Sequence, residues 1–408
     1  MRNLVNVKFL SLLPLFMVIL IDVMGIILVM PVITPLILEH GNGLLAETAS
    51  QGLRNFMYGF ALALFPFFMF FSTPILGDLS DRFGRKKILF LCLIVNAIGC
   101  ALSAVAIWVH SLSLFIVSRA VAGLAAGTQP IATAGILDES EPASRTRYLS
   151  WVVLAVSAGL ILGPLLGGIT AEKSFVSWFG YDTPFIAAAI LSFLNAILLY
   201  MFYREKFITP VQHKIELLRG FKLFLAAFTE SKFRLLSILV MCFILAWSLY
   251  YQAVNWVLNQ QFHYNVGHLG FFIGFMGIVF ALTTFLMRIL ANIFPNETTL
   301  FAGSIFIMMI GNAGAALSHS EFGQWFWVIF TAGSDVVCYT LAMSIFSSLA
   351  GKEAQGWVMG VTSAIAAMTW TIGGLIVGPL GTLNLYAPFW TAAGLSFVSF
   401  ILILIYRK

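Results

Sequence analysis

The chain has 408 residues, 60% of them hydrophobic and 10% charged, with a formal net charge of +5. Soluble domains run at roughly 45–50% apolar and about 25% charged, so an aqueous globular fold is excluded. Four cysteines (Cys92, Cys100, Cys242, Cys338) and six histidines form neither a metal-spacing motif nor a disulfide framework, and no metal site is expected.

A membrane-spanning helix needs about 20 mostly apolar residues. Twelve such runs are predicted, centred near Met24, Ala63, Asn96, Gly127, Gly159, Phe193, Ile244, Gly277, Ile307, Ser334, Ile365 and Gly394. Barrel-type alternation is absent, which predicts an all-α polytopic membrane protein. The first run, Phe9 to Leu38, carries a single acid, Asp22, which opens the stretch Asp22–Pro31. A charge at the bilayer centre costs at least about 2.5–3.5 kcal/mol, so Asp22 is expected to be functional, with proton handling as its first candidate role. No small-residue cleavage site follows the apolar core, and the first span is expected to be retained.

Between the second and third spans lies Gly77-Asp-Leu-Ser-Asp81-Arg82-Phe-Gly84-Arg85-Lys86-Lys87. Gly77 and Gly84 are expected to permit tight reversals, and Asp81 to meet a cation or a helix N-terminus. The plainer reading is a topogenic positive cluster. The fourth span contains Arg119, Gly123 and Gly127. The fifth reads Gly159-Leu-Ile-Leu-Gly163-Pro164-Leu-Leu-Gly167-Gly168, and the eleventh echoes it as Gly374-Leu-Ile-Val-Gly378-Pro379-Leu-Gly381. Close helix packing by small residues is the local reading of both runs.

Residues 204–232 are the one long polar interruption, with a possible basic amphipathic helix in which Ile215, Leu217, Leu218, Phe221 and Phe224 interleave with cations; a plain linker is the alternative. This predicts a bundle of six helices over 1–203, a linker over 204–232, and a second bundle over 233–408. The echo also carries Ser118-Arg119 onto Ser334-Asp335 in the tenth span, so Arg119 and Asp335 are expected on opposite walls of one cavity. In the seventh span, Trp247, Tyr250 and Tyr251 share a helical face and can stack flat or cationic solutes; Trp256 is expected in an interfacial aromatic belt.

Charge placement gives orientation. If both termini are cytoplasmic, that side holds two cations near the N-terminus, four at Arg82 to Lys87, Arg145 and Arg147, seven between Arg204 and Arg234, and Arg288, Lys352, Arg407 and Lys408. Only Arg54 and Lys173 fall opposite. This is the positive-inside bias, and no nucleic-acid partner is inferred from the net charge.

These residues resemble the major facilitator superfamily. The loop is similar to its signature G-x-x-x-D-x-x-G-R-[KR] at Gly77, Asp81, Gly84, Arg85 and Lys86. Gly159 to Gly168 resembles its antiporter-associated fifth-helix motif, and Arg119, Gly123 and Gly127 its fourth-helix motif. Within the superfamily the chain looks most like the twelve-span tetracycline/proton antiporters, through Asp22–Pro31 and Ser80–Arg85. It departs from them where they carry acids in the third and ninth helices, near Gly99 and Gly311-Asn312 here, and in lacking the second copy of the loop signature around Arg288 to Thr298.

The resemblance implies alternating access between pseudo-symmetric bundles, with helices one, four, seven and ten lining the cavity. Asp22, Asp335 and Arg119 are then the expected proton-coupling residues. Gly77, Asp81, Arg82, Gly84, Arg85, Lys86, Gly159, Gly163, Pro164, Gly167 and Gly168 are the gating residues, with Asp81 meeting the N-terminus of the eleventh helix near Gly356. Asp22, Arg119, Trp247, Tyr250, Tyr251 and Asp335 form the substrate cavity. The expected function is proton-coupled export of a small drug-like or metabolic compound. The energy source is the proton gradient, with no cofactor, and the carrier is a monomer in the bacterial inner membrane. A proton-coupled importer of a nutrient or metal chelate is the alternative, and a non-transporting receptor or scaffold the third reading.

Overall fold

The computed structural model describes residues 2–41, 44–140, 144–205, 216, 218–350 and 355–406. Fifteen helices occur among them: α1 (Arg2–Ile27), α2 (Val29–Leu38), α3 (Gln51–Phe83), α4 (Arg85–Trp108), α5 (Leu112–Leu124), α6 (Thr128–Asp138), α7 (Arg145–Ala171), α8 (Thr183–Phe202), α9 (Arg219–Thr229), α10 (Ser231–Phe262), α11 (Val266–Ile293), α12 (Glu297–Leu317), α13 (Glu321–Ala350), α14 (Gln355–Leu383) and α15 (Ala387–Tyr406). They make 12 apolar segments long enough to cross a membrane. The count of helices exceeds that of crossings because two crossings are broken and α9 lies in the linker.

Each break has a local cause. Pro31 has no N–H to give the Ile27 carbonyl, so the first crossing is interrupted between α1 and α2. The fourth crossing breaks where Gly127 takes the left-handed conformation (φ +86°), which side-chain-bearing residues adopt reluctantly, and α6 restarts at Thr128. Gly77 does not turn the chain: α3 runs through it to Phe83, and the reversal falls on Gly84 alone (φ +97°).

One end of the bundle carries Arg85, Lys86 and Arg219, and we call it the basic end. At the opposite end the helices before and after the linker meet at backbone distance. A methyl group on Gly270 of α11 would lie 2.6 Å from the Pro164 carbonyl and 2.7 Å from the Gly168 Cα of α7. Between α3 and α14, a side chain on Gly59 would strike the Gly374 carbonyl, and one on Gly378 the Asn55 carbonyl. Polar contacts reinforce this end: the Tyr58 hydroxyl donates to the Gln252 carbonyl at 2.8 Å, and Asn259 Nδ2 to Glu39 Oε1 at 2.7 Å. Arg54, 1% exposed, donates to the carbonyls of Ile37, Glu39 and Ala46 at 2.8–3.2 Å. Trp256 packs edge-on against Tyr58 and against Gly381, fully buried. It belongs to this closed end, and the expected interfacial belt is wrong for it.

At the basic end the two seams between the halves differ. α9 lies against α3, α10 and α14. Gly220 fits against Phe70 and Pro74 of α3, Leu223 sits on Gly360 of α14, and Ala227 is fully buried. Arg219 pairs with Asp78 of α3. Residues 206–215 and 217 of the expected amphipathic linker lie outside the described residues. Among the described residues, no helix fills the seam between α7 and α11 in this way. The buried residues of α11 all fall between Val266 and Val279, and every residue from 281 to 293 is at least partly exposed.

Replacing Gly378 by leucine is expected to pry the α3–α14 seam apart at the end opposite the basic one. A cysteine placed at the buried Asn255 should then react several-fold faster with a membrane-impermeant maleimide than in the Gly378 parent. Equal rates would show that backbone contact does not hold this seam shut.

Candidate functional site

Asp22 lies on α1, and the break in the fourth crossing supplies what its carboxylate needs. A restarted helix leaves its first N–H groups without intrahelical partners and carries partial positive charge there. The Gln129 amide donates to Asp22 Oδ2 at 3.3 Å, and Thr128 lines the same small cavity as the carboxylate. The chain thus places an anion on a half-helix N-terminus at mid-membrane. Asp22 remains partly accessible, beside a cavity of about 10 Å³ lined by residues that include Cys92, Asn96 and Thr128.

The fifth-crossing glycines hold α1 at this position. Side chains at Gly159 and Gly163 would lie 3.0 Å from the Leu20 carbonyl and 2.9 Å from the Met24 carbonyl, and one at Gly167 would strike the Leu28 carbonyl. These three glycines, four residues apart, form one stripe facing the first crossing on both sides of Asp22. Pro164 and Gly168 face α11 on the other side of α7.

A larger cavity, about 250 Å³, lies between α6, α7, α11 and α13 and is lined by Gln129, Val152, Val153, Val156, Ser157, Leu160, Phe280, Thr284 and Val336. Gln129 therefore touches both this cavity and Asp22. Phe280 leads on to an aromatic cluster. Its ring lies 5.4 Å from Trp247, which stacks on Tyr250 at 5.8 Å and meets Tyr251 at 5.5 Å. Trp370 and Phe389 complete the cluster. Trp247, Tyr250 and Tyr251 are buried, and the two tyrosine hydroxyls have no hydrogen-bond partner among the described residues.

The three intramembrane charges have different immediate surroundings. Arg119 is 5% exposed with its guanidinium 5.1 Å above the Phe65 ring, a cation–π contact. Asp335 is partly accessible and has no hydrogen-bond partner among the described residues. No ion pair joins Arg119 to Asp335 or to Asp22 among those residues.

The basic loop builds a network of its own. Glu205 accepts from the backbone N–H of Arg85 and of Lys86, capping α4 with an anion. Arg85 Nε bonds Asp138 Oδ2 at 2.6 Å, and Lys86 Nζ the Tyr200 carbonyl at 2.8 Å. Arg82 lies over the Phe83 ring. Asp81, half exposed, pairs with Arg85 at 3.7 Å. Residues 351–354, just before the α14 terminus that Asp81 is expected to meet, lie outside the described residues. The acid that reaches across to the linker is Asp78. Sequence reasoning missed Asp78 with Arg219, and Thr128 with Gln129. For the second pair a signal was present: Gly127-Thr128-Gln129-Pro130 has the glycine, capping residue and early proline of a helix start.

The broken crossings, the loop and the glycine stripe fit one family, and its sequence model, "Major Facilitator Superfamily", matches residues 15–373. The chain belongs to the Major Facilitator Superfamily. As a member it is an integral membrane transporter of small molecules and not an enzyme. Among curated relatives, it is 26% identical over 398 residues to the class B tetracycline resistance protein of Escherichia coli, covering 94% of this chain and 92% of that protein. It is also 26% identical to the quinolone resistance protein NorA of Staphylococcus aureus, covering 88% and 89%. The crystal structure of the human organic anion transporter MFSD10 superposes with a TM-score of 0.69 at 17% identity, covering 97% of this chain and 99% of that one. That likeness shows the superfamily fold.

Gly127→Ala is expected to cost about 1–2 kcal/mol from the left-handed backbone alone, and further stability from collision with the Thr73 side chain. Thr73→Ala in the same chain should restore only the second part. Thermal unfolding in detergent measures both. A Gly127→Ala protein as stable as its parent would mean that this backbone angle does not hold the break.

Proposed function

We propose that this transporter exports a small organic compound in exchange for protons, with the basic end and both termini in the cytoplasm of a bacterial cell and Asp22 as the principal coupling residue. The observation that carries the reading is the Asp22 carboxylate seated on the α6 N-terminus, one residue away from the wall of the larger cavity. Ionised, the carboxylate binds α1 to α6 by charge and hydrogen bonds; protonated, it loses the attraction to the helix end. Occupancy of the cavity at Gln129 and the protonation of Asp22 therefore act on the same short stretch of backbone, which is the linkage an exchanger needs.

Closure at the end opposite the basic one supports a resting state that faces the cytoplasm. Substrate would bind there while Asp22 is ionised. After the halves rock, protonation from the far side would release α1 and reset the carrier. Asp335, a bare carboxylate within α13, is the second candidate for coupling. Arg119, held by Phe65, would act through the geometry of α5 without pairing directly to either acid.

Tetracycline is an unsuitable substrate on this reading. A side chain at Gly99 would lie 3.0 Å from the backbone of Ala122, so the third crossing has no room for an acid there. Asn312 is buried with its amide bonded to Ser396 at 3.1 Å, a packing role within the second bundle.

The test is transport in inside-out membrane vesicles with an acidic lumen, screening tetracycline, a fluoroquinolone and a cationic dye such as ethidium. Accumulation of the quinolone or dye is expected, and Asp22→Asn should abolish it while the protein remains expressed and folded. Asp335→Asn should impair it less. Gradient-driven accumulation that survives in Asp22→Asn would remove Asp22 from coupling, and movement out of the vesicles would make the protein an importer.

A further inference from the structure

Asp22 has a second setting besides the start of α6. The cavity of about 10 Å³ beside it lies between α1, α4 and the break in the fourth crossing. Its polar lining is Asp22, Asn96 and Thr128, and apart from Cys92 the rest of its wall is aliphatic. A polar cavity takes one water once it offers about 10–15 Å³ and at least two partners, and this one meets both conditions. An ionised carboxylate accepts at about four lone-pair positions, of which the Gln129 amide occupies one at 3.3 Å. Asn96 is held so that its carbonyl is spare: its Nδ2 donates to Ser192 Oγ of α8 at 2.8 Å, and Ser192 is fully buried. The oxygen Oδ1 is then what Asn96 offers to the cavity. The larger cavity shares no lining residue with this small one.

We infer that the small cavity binds one water molecule that bridges Asp22 to Asn96, which makes Asn96 a positioning residue for proton coupling. The consequence for coupling rests on the reading of Asp22 as the coupling acid, while the water site rests on the cavity and its lining. The water donates one O–H to the Asp22 carboxylate and the other to Asn96 Oδ1, and it accepts from the Thr128 hydroxyl. Three bonds are the usual complement of a buried water. Three side-chain oxygens are too few for a hard divalent cation, which takes about six or more. Cys92 is the other titratable group in the wall. α2 and residues 155–171 of α7 carry no titratable side chain, and Arg119 stands over Phe65. A hydrogen bond donated to the ionised form favours that form, so the bridge eases release of the proton. Substrate acts on Asp22 through Gln129, and the water acts on it from α4.

Infrared titration of the intact protein in lipid tests this, reading the carboxylic C=O band that is missing from Asp22→Asn. Asn96→Leu keeps the bulk of the side chain and removes its acceptor. The midpoint of the band is expected to rise by about one pH unit, the order of one hydrogen bond to a charged group. A water O–H band that shifts in heavy-oxygen water should be present in the parent and absent from this variant. Asn96→Ser keeps an acceptor and leaves room, and should return the midpoint towards that of the parent. Should Asn96→Leu fail to fold, Cys92→Leu fills the cavity from one turn away without touching the Asn96–Ser192 bond, and the same rise is expected. An unchanged midpoint in either folded leucine variant would overturn the bridge and leave Asn96 a packing residue. A midpoint that responds to sodium chloride and not to choline chloride would put a monovalent cation in the site and overturn it equally. A raised midpoint, with vesicle transport that keeps the parent's pH dependence, would uphold the water site and remove Asp22 from coupling. An unchanged midpoint, with transport abolished in Asp22→Asn, would do the reverse.

Discussion

A carboxylate can stand inside a membrane protein only if something there replaces water, and that requirement shapes the first half of this transporter. The replacement is the start of α6, created by breaking the fourth crossing at Gly127. The break needs a residue that tolerates the left-handed backbone and a turn of space beside Thr73, and glycine meets both conditions. The first crossing must then be held so that Asp22 stays on the helix end. The stripe Gly159, Gly163 and Gly167 does this by admitting the backbone of α1 to contact distance. Glycines that read as a family motif thus position one acid.

The same run of sequence serves a second purpose on its other face. Pro164 and Gly168 bring α7 against α11 across the two halves, and Gly374 with Gly378 does so for α14 against α3. Backbone-to-backbone contact has little slack, because a packed interface switches between discrete arrangements more readily than it deforms. On the proposed exchange cycle these seams would serve as pivots near one end of the bundle. At the basic end α9 is tethered to α3 by Arg219 and Asp78 and seated on α14 through Leu223. On the proposed exchange cycle, approach of α3 and α14 at that end has to displace or compress α9, which would make the linker part of the gate.

The crossings were legible in the sequence because each is a run of about 20 apolar residues, a length fixed by the bilayer. Asp22 was legible for the same reason in reverse, as a charge where the solvent forbids one. The breaks were not, since hydropathy continues through Leu28 and through Ala125 to Gly127, and glycine and proline are common inside membrane helices that stay intact. Gly77 misled for this reason: its neighbours keep their helical hydrogen bonds, and the reversal needed only Gly84. Trp256 misled because an aromatic near a helix end looks alike whether it meets lipid headgroups or another helix; here it meets Tyr58 and Gly381. The duplication places Arg119 and Asp335 at equivalent depths in the two halves; among the described residues Arg119 lies over the Phe65 ring.

The central claim is that substrate in the cavity and the proton on Asp22 compete through the α6 N-terminus. Proton release on binding tests this most directly. Ethidium, or whichever probe the vesicles accumulate, is added to purified protein in weakly buffered detergent solution with a pH indicator. The account predicts that binding releases protons from the parent protein and none from Asp22→Asn. Tight binding to the parent with no proton released, or an equal release from Asp22→Asn, would contradict it.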